Sequence, residues 1–115
     1  MIGIYIHVPF CRTLCPYCDF NRVRLEGTPP DAYIDALVAE VEAFDARTRA
    51  DTVFVGGGTP SLLSPRQLER ILAVVRKRFS LHDPEITVEA NPDDVTPELA
   101  TAWRTLGVSR VSLGI

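Results

Sequence analysis

Three thiols are packed into the string CRTLCPYC. They are Cys11, Cys15 and Cys18, and the chain has no other cysteine. Thiolates at C-x3-C-x2-C spacing suit a soft metal or an iron–sulfur cluster. A cubane cluster normally takes four cysteines, so three of them hold three irons and leave the last open to an external ligand. An open metal position separates a reactive site from a closed structural one.

Two plainer readings compete. A disulfide would pair two cysteines and strand the third. The amino-terminal string MIGIYIHVPF has neither a basic segment nor a long apolar core, so it does not read as a secretion signal. No apolar run is long enough to span a membrane. In a reducing cytoplasm such a cysteine cluster serves a metal or catalysis more often than a bridge. Structural zinc is the stronger competitor, with His7 completing a Cys3His set. Against it, His7 lies inside the apolar run IYIHVPF, which reads as a strand leading into the cysteine loop.

Other segments carry potential chemistry. Gly56-Gly57-Gly58-Thr59-Pro60 matches neither a Walker A loop nor G-x-G-x-x-G. Consecutive glycines let a ligand approach the backbone closely, or they simply make a tight turn. Beside a cysteine cluster the ligand reading is the better one. Glu89 closes an apolar and threonine-containing segment, where it can accept from a ligand ammonium or hydroxyl or merely end the strand in solvent. Tyr5 and Tyr17 flank the cysteines and can stack on an adenine or only pack. Phe10 and Phe20 read as shields for the cluster, and Asn91-Pro92 as a turn initiator.

These groups need elements to position them. Ile2 to His7 reads as a first strand. Thr28-Pro29 offers a cap and a first helical residue, followed by Tyr33, Leu37, Val41 and Phe44 at helical spacing. Thr52 to Val55 is a short strand, and Ser64-Pro65-Arg66-Gln67 is a capping box. Leu68, Ile71, Leu72, Val75 and Phe79 give a second helix its apolar face. Glu85 to Ala90 is a third strand. Thr96-Pro97 opens a third helix bearing Leu99, Trp103 and Leu106, and Gly107 closes it. Val108 to Leu113 is a fourth strand. Strands alternating with helices predict an α/β fold with a parallel sheet. In such sheets ligands gather at the carboxyl ends of the strands, where the cysteines, the glycine run and Glu89 all fall. With no helix predicted after the fourth strand, residues 1–115 read as the amino-terminal portion of a larger barrel.

The chain has 115 residues, 46% hydrophobic and 23% charged, as in a globular cytoplasmic protein. A formal net charge of −3 argues against a nucleic-acid partner. The basic run Arg76-Lys77-Arg78 sits at a predicted helix end, where cations suit the dipole.

Taken in order, YIHVPFCRTLCPYCDFN, VGGGTPSLL, VEANP and LGVSRVSLGI resemble the radical S-adenosylmethionine (SAM) superfamily. Within it they are similar to the branch of oxygen-independent coproporphyrinogen III oxidases (HemN type) and heme chaperones (HemW type). The resemblance implies a partial (β/α) TIM-like barrel. Cys11, Cys15 and Cys18 would ligate a [4Fe–4S] cluster, with SAM chelating the fourth iron. Tyr5, Tyr17, Gly57, Gly58, Thr59 and Glu89 would contact SAM. An electron from the reduced cluster, fed by a protein such as a flavodoxin or ferredoxin, would cleave SAM to methionine and a 5′-deoxyadenosyl radical. In the oxidases that radical starts the oxidation of a porphyrinogen. The oxidase type carries a fourth cysteine two residues after the triplet; here that residue is Phe20. The departure favours the chaperone type, which binds heme through a region outside this stretch and passes it to apoproteins. On this reading Cys15→Ser removes the cluster, and Gly58→Val weakens SAM binding while sparing the cluster.

Overall fold

The computed structural model describes residues 2–11, 23–24, 27–44 and 48–114. Cys15, Tyr17, Cys18 and Phe20 lie outside the described residues. Four parallel strands form one sheet: β1 (Gly3–Val8), β4 (Arg49–Gly57), β5 (Ser80–Ala90) and β6 (Arg110–Leu113), in the order β1-β4-β5-β6. A short parallel pair, β2 (Phe10–Cys11) with β3 (Val23–Arg24), brackets the cysteine segment. Three helices, α1 (Asp31–Glu42), α2 (Pro65–Arg78) and α3 (Pro97–Leu106), connect the strands of the sheet. The predicted α/β class and parallel sheet are both present.

Alternation along the strands explains why one face of the sheet is covered. Ile6, Val8, Val53, Val55, Ile86 and Val88 are buried, and they share a core with Ile34 and Leu37 of α1, Leu68, Ile71 and Leu72 of α2, and Trp103 of α3. Residues between them point the other way. Tyr5, His7, Phe54 and Glu89 therefore fall on the opposite face, and Tyr5 is 56% exposed there. The strands are in register, with Val53 opposite both Ile4 and Ile86, and Val88 opposite Val111. All four strands are parallel, so their carboxyl ends arrive at the same edge.

Local chemistry accounts for the helices. Ser64 Oγ accepts from the Gln67 N–H at 3.1 Å, and Gln67 Oε1 accepts from the Ser64 N–H at 3.0 Å, completing the predicted capping box. Thr96 Oγ1 accepts from the Leu99 N–H at 3.1 Å to cap α3, and Gly107 closes it at φ +96°. The start of α1 differs from expectation. Thr28 is not its cap; Pro30 holds that place in extended backbone (φ −65°, ψ 141°) without a side-chain cap. Pro30 disfavours helical backbone at the residue before it, which puts Pro29 outside the helix. Phe44 also lies beyond the helix, 54% exposed, with its ring 5.5 Å from that of Phe79.

β4 and β5 run longer than their apolar cores predict. Their register breaks between Ala50/Thr52 on one strand and Leu81/Glu85 on the other. The extra residues include Asp83 at φ +49°, a conformation aspartate tolerates better than most residues. The polar string His82-Asp83-Pro84 hides that extension in the sequence. No helix among the described residues is long and apolar enough to cross a membrane.

Gln67 does more than cap α2. It is 5% exposed, and its Nε2 donates to the Pro29 carbonyl at 2.7 Å and to Asp31 Oδ1 at 3.0 Å. One amide thus fastens the beginnings of two helices. Gln67→Leu keeps the Ser64 cap but removes the side-chain partners of the Ser64 N–H and the Pro29 carbonyl. It is expected to cost about 2 kcal/mol, read as a lower urea midpoint at unchanged m-value.

Candidate functional site

The site begins where β1 ends. After Val8 the chain turns through Pro9 into Phe10 and Cys11, both buried. Phe10 belongs to the hydrophobic core, and its ring meets Tyr33 edge-on at 5.1 Å. The Tyr33 hydroxyl donates to the His7 carbonyl at 2.6 Å. Burial, then the charge of Glu40 and the proximity of Tyr5, push the Tyr33 phenol above its ordinary value, so it remains a donor at neutral pH. This clamp fixes the strand end that delivers Cys11.

The glycine run follows β4 and is laced to the same segment. The Gly58 N–H donates to the Val8 carbonyl at 2.7 Å, and the Thr59 N–H to the Phe10 carbonyl at 2.7 Å. A Cβ on Gly58 would lie 2.5 Å from the Phe10 oxygen and 2.9 Å from Cys11 Sγ. Gly57 adopts φ +117°, and a Cβ there would lie 2.7 Å from His7 Nδ1. These glycines therefore make room for the cysteine and the histidine. The closest neighbours of a side chain at position 58 are the Phe10 carbonyl and the Cys11 thiol, so a substitution there bears on Cys11 as well as on the cleft.

Glu89 reaches the glycine run from β5. Its Oε1 accepts from the Gly57 N–H at 2.9 Å. Being half-buried and anchored, it is not a solvated strand end. Gly57, Gly58, Thr59, Glu89, Asn91 and Ser112 line a cleft of about 440 Å³ at this edge. Thus Gly57, Gly58, Thr59 and Glu89 come together as expected. Tyr5 stands apart from that cleft on the open face of β1. Its ring stacks on Phe54 at 5.9 Å and its hydroxyl lies 3.3 Å from His7 Nδ1. It borders a second, apolar groove of about 390 Å³ between β1 and α1.

Cys11 is a free thiol. Its partners in the triplet, Cys15 and Cys18, and the flanking Tyr17 lie outside the described residues. Sequence reasoning missed two contributors. Phe54 on β4 supports Tyr5, and its position opposite Tyr5 follows from strand register alone. Ser61, directly after Thr59-Pro60, meets Asp94 from beyond β5. Residues that far apart carry no spacing signal.

Comparison with known proteins points the same way. A family model described as the Radical SAM superfamily matches residues 5–115. The chain is 44% identical over 112 residues to heme chaperone HemW of Lactococcus lactis, covering 96% of this chain and 29% of that protein. It is 48% identical over 120 residues to heme chaperone HemW of Mycobacterium tuberculosis, covering 98% and 31%. Among solved structures it is similar to coproporphyrinogen III oxidase (HemN) from Escherichia coli, described as a radical SAM enzyme. That match has a TM-score of 0.85 at 30% identity and covers 98% of this chain and 27% of the oxidase. The chain thus spans under a third of the length of these relatives.

Proposed function

This chain belongs to the radical SAM superfamily, and from that premise we propose that residues 1–115 form the amino-terminal, cluster- and SAM-binding portion of a cytoplasmic heme chaperone. One observation carries the reading: Cys11, the Gly57–Thr59 backbone and Glu89 meet at a single edge of the parallel sheet.

The residues suit both cofactors. Cys11 offers a free, buried thiol facing a position without a side chain. Cys11, Cys15 and Cys18 would hold a [4Fe–4S] cluster through three irons and leave the fourth for SAM. The cleft presents the Glu89 carboxylate and the Thr59 and Ser112 hydroxyls, which match the ammonium and the ribose hydroxyl and carboxylate groups of SAM. Gly57, Gly58, Thr59 and Glu89 would line its site, with Tyr5 and Tyr17 flanking. Bound together, the cofactors supply one-electron chemistry. The chain itself orients Glu89 through the Gly57 N–H and anchors the segment leading to Cys11 by burying Phe10 against Tyr33.

The relatives named heme chaperone HemW and the phenylalanine at position 20 support heme transfer over porphyrinogen oxidation. Heme would bind outside this stretch and pass to apoproteins, with a flavodoxin- or ferredoxin-like reductant serving the cluster. The likeness to coproporphyrinogen III oxidase keeps a second reading, oxidation of coproporphyrinogen III, open to test.

The test uses the full-length protein, reconstituted anaerobically with iron and sulfide. About four irons per chain and an EPR signal perturbed by SAM are expected. A colourless protein holding zinc on the same cysteines would overturn the cofactor assignment. Coproporphyrinogen III added with SAM and reductant is expected to give no vinyl product, whereas heme is expected to bind and move to an apocytochrome. A vinyl product would replace the chaperone reading with the oxidase one.

A further inference from the structure

Two one-turn helices flank the cleft without lining it. Pro60–Leu62 follows Thr59 directly, and Pro92–Asp94 follows β5 and Asn91. Ser61, only 7% exposed, joins them. Its Oγ donates to Asp94 Oδ2 at 2.6 Å and accepts from the Asn91 N–H at 3.1 Å. The Asp94 N–H in turn donates to the Asn91 carbonyl at 2.9 Å. A hydroxyl that accepts from a backbone amide while donating to a carboxylate makes both bonds stronger.

Sequence position gives this chain of hydrogen bonds its significance. Ser61 is two residues past Thr59, and Asn91 is two residues past Glu89. The linkage therefore joins the two segments that carry the cleft's polar groups. Between those groups themselves, the Gly57 N–H donates to Glu89 Oε1. The β4–β5 ladder sets the strand spacing as far as Val55 and Val88; beyond it, the Ser61–Asp94–Asn91 bonds tie together the two segments that continue past Thr59 and Glu89.

We propose that Ser61 and Asp94 are positioning residues that set the spacing between the Gly57–Thr59 backbone and Glu89, and so control affinity for SAM without touching it. This rests on the reading of the cleft as a SAM site. The pair acts through backbone placement, so its loss changes ligand affinity and leaves the thiolates that hold the cluster in place.

The test uses reconstituted full-length protein carrying Ser61→Ala, Asp94→Ala, or both. Each single variant is expected to bind SAM about tenfold more weakly, the scale seen when a group supporting a ligand-binding residue is removed. Iron per chain should stay at the parent level. Because the two residues act as one unit, the double variant should be no worse than the weaker single. Unchanged SAM affinity in Ser61→Ala would overturn the proposal. So would iron lost in parallel with SAM, or a double variant whose loss is the product of the two singles. Hydrogen exchange at the Gly57 amide gives a readout independent of SAM. Faster exchange in Ser61→Ala sustains the positioning role, and unchanged exchange refutes it. Should the parent protein bind no SAM at all, the functional reading falls, and the exchange measurement alone decides the role of the pair.

Discussion

Cys11→Ser leaves the full-length protein without its cluster: iron after anaerobic reconstitution is expected to drop from about four per chain to near none. The ligand of such a cluster is a thiolate, and a serine hydroxyl stays protonated at neutral pH and binds iron poorly. With only three cysteines in residues 1–115, no other thiol of this stretch replaces the lost one. Serine is nearly isosteric, and Cys11 holds its place through the backbone, paired with Arg24 in the short β2–β3 ladder. The fold should therefore survive, and far-ultraviolet circular dichroism should match the parent. The same result is expected for Cys15→Ser. A Cys11→Ser protein with full iron content and an unchanged EPR spectrum would refute the cluster assignment.

The second large effect is expected at Gly58, and it is broader than the sequence suggests. Even alanine places a Cβ 2.5 Å from the Phe10 carbonyl oxygen and 2.9 Å from Cys11 Sγ. The carbonyl cannot easily retreat, because it accepts from the Thr59 N–H at 2.7 Å. Retreat of the thiol would displace a proposed iron ligand. Gly58→Ala is therefore expected to destabilise the protein by about 2 kcal/mol, as overpacking does, and to lower both iron content and SAM affinity. Valine, with its branched Cβ, should do more of the same. Iron per chain and a SAM titration on the same preparation check this. Full iron with weakened SAM binding would restore the narrower view of the glycine run as a ligand cradle only. Full iron with unchanged SAM affinity would remove the position from the site.

Both effects concern the sheet edge, and that edge was largely legible in advance. Thr96, Gln67, Ser64 and Gly107 announced helix ends because capping depends on a few neighbouring residues. Val53, Val55, Ile86 and Val88 announced buried parallel strands by being apolar and β-branched between helical segments. Once strands and helices alternate, a parallel sheet must gather its carboxyl ends on one side, which brings Cys11, Gly57 and Glu89 together. The start of α1 departs from the Thr28-Pro29 cap signal because the second proline excludes the first from the helix. The long β5 was hidden by polar residues at its register break.

Short-range pattern was thus enough for the order of the main strands and helices and for the parallel sheet, while the quoted motifs carried the family resemblance and the residues it implies for the cofactors. The strands and helices depend on backbone preferences and on periodicity within each element. It took the folded chain to pair Gly57 with Glu89, Ser61 with Asp94 and Gln67 with Pro29, contacts that span 32, 33 and 38 residues. It also took the folded chain to set Gly58 against Cys11 and to part Tyr5 from the cleft. Such pairings follow from strand register and helix docking. A one-residue shift in either leaves the local pattern untouched and changes which side chains meet.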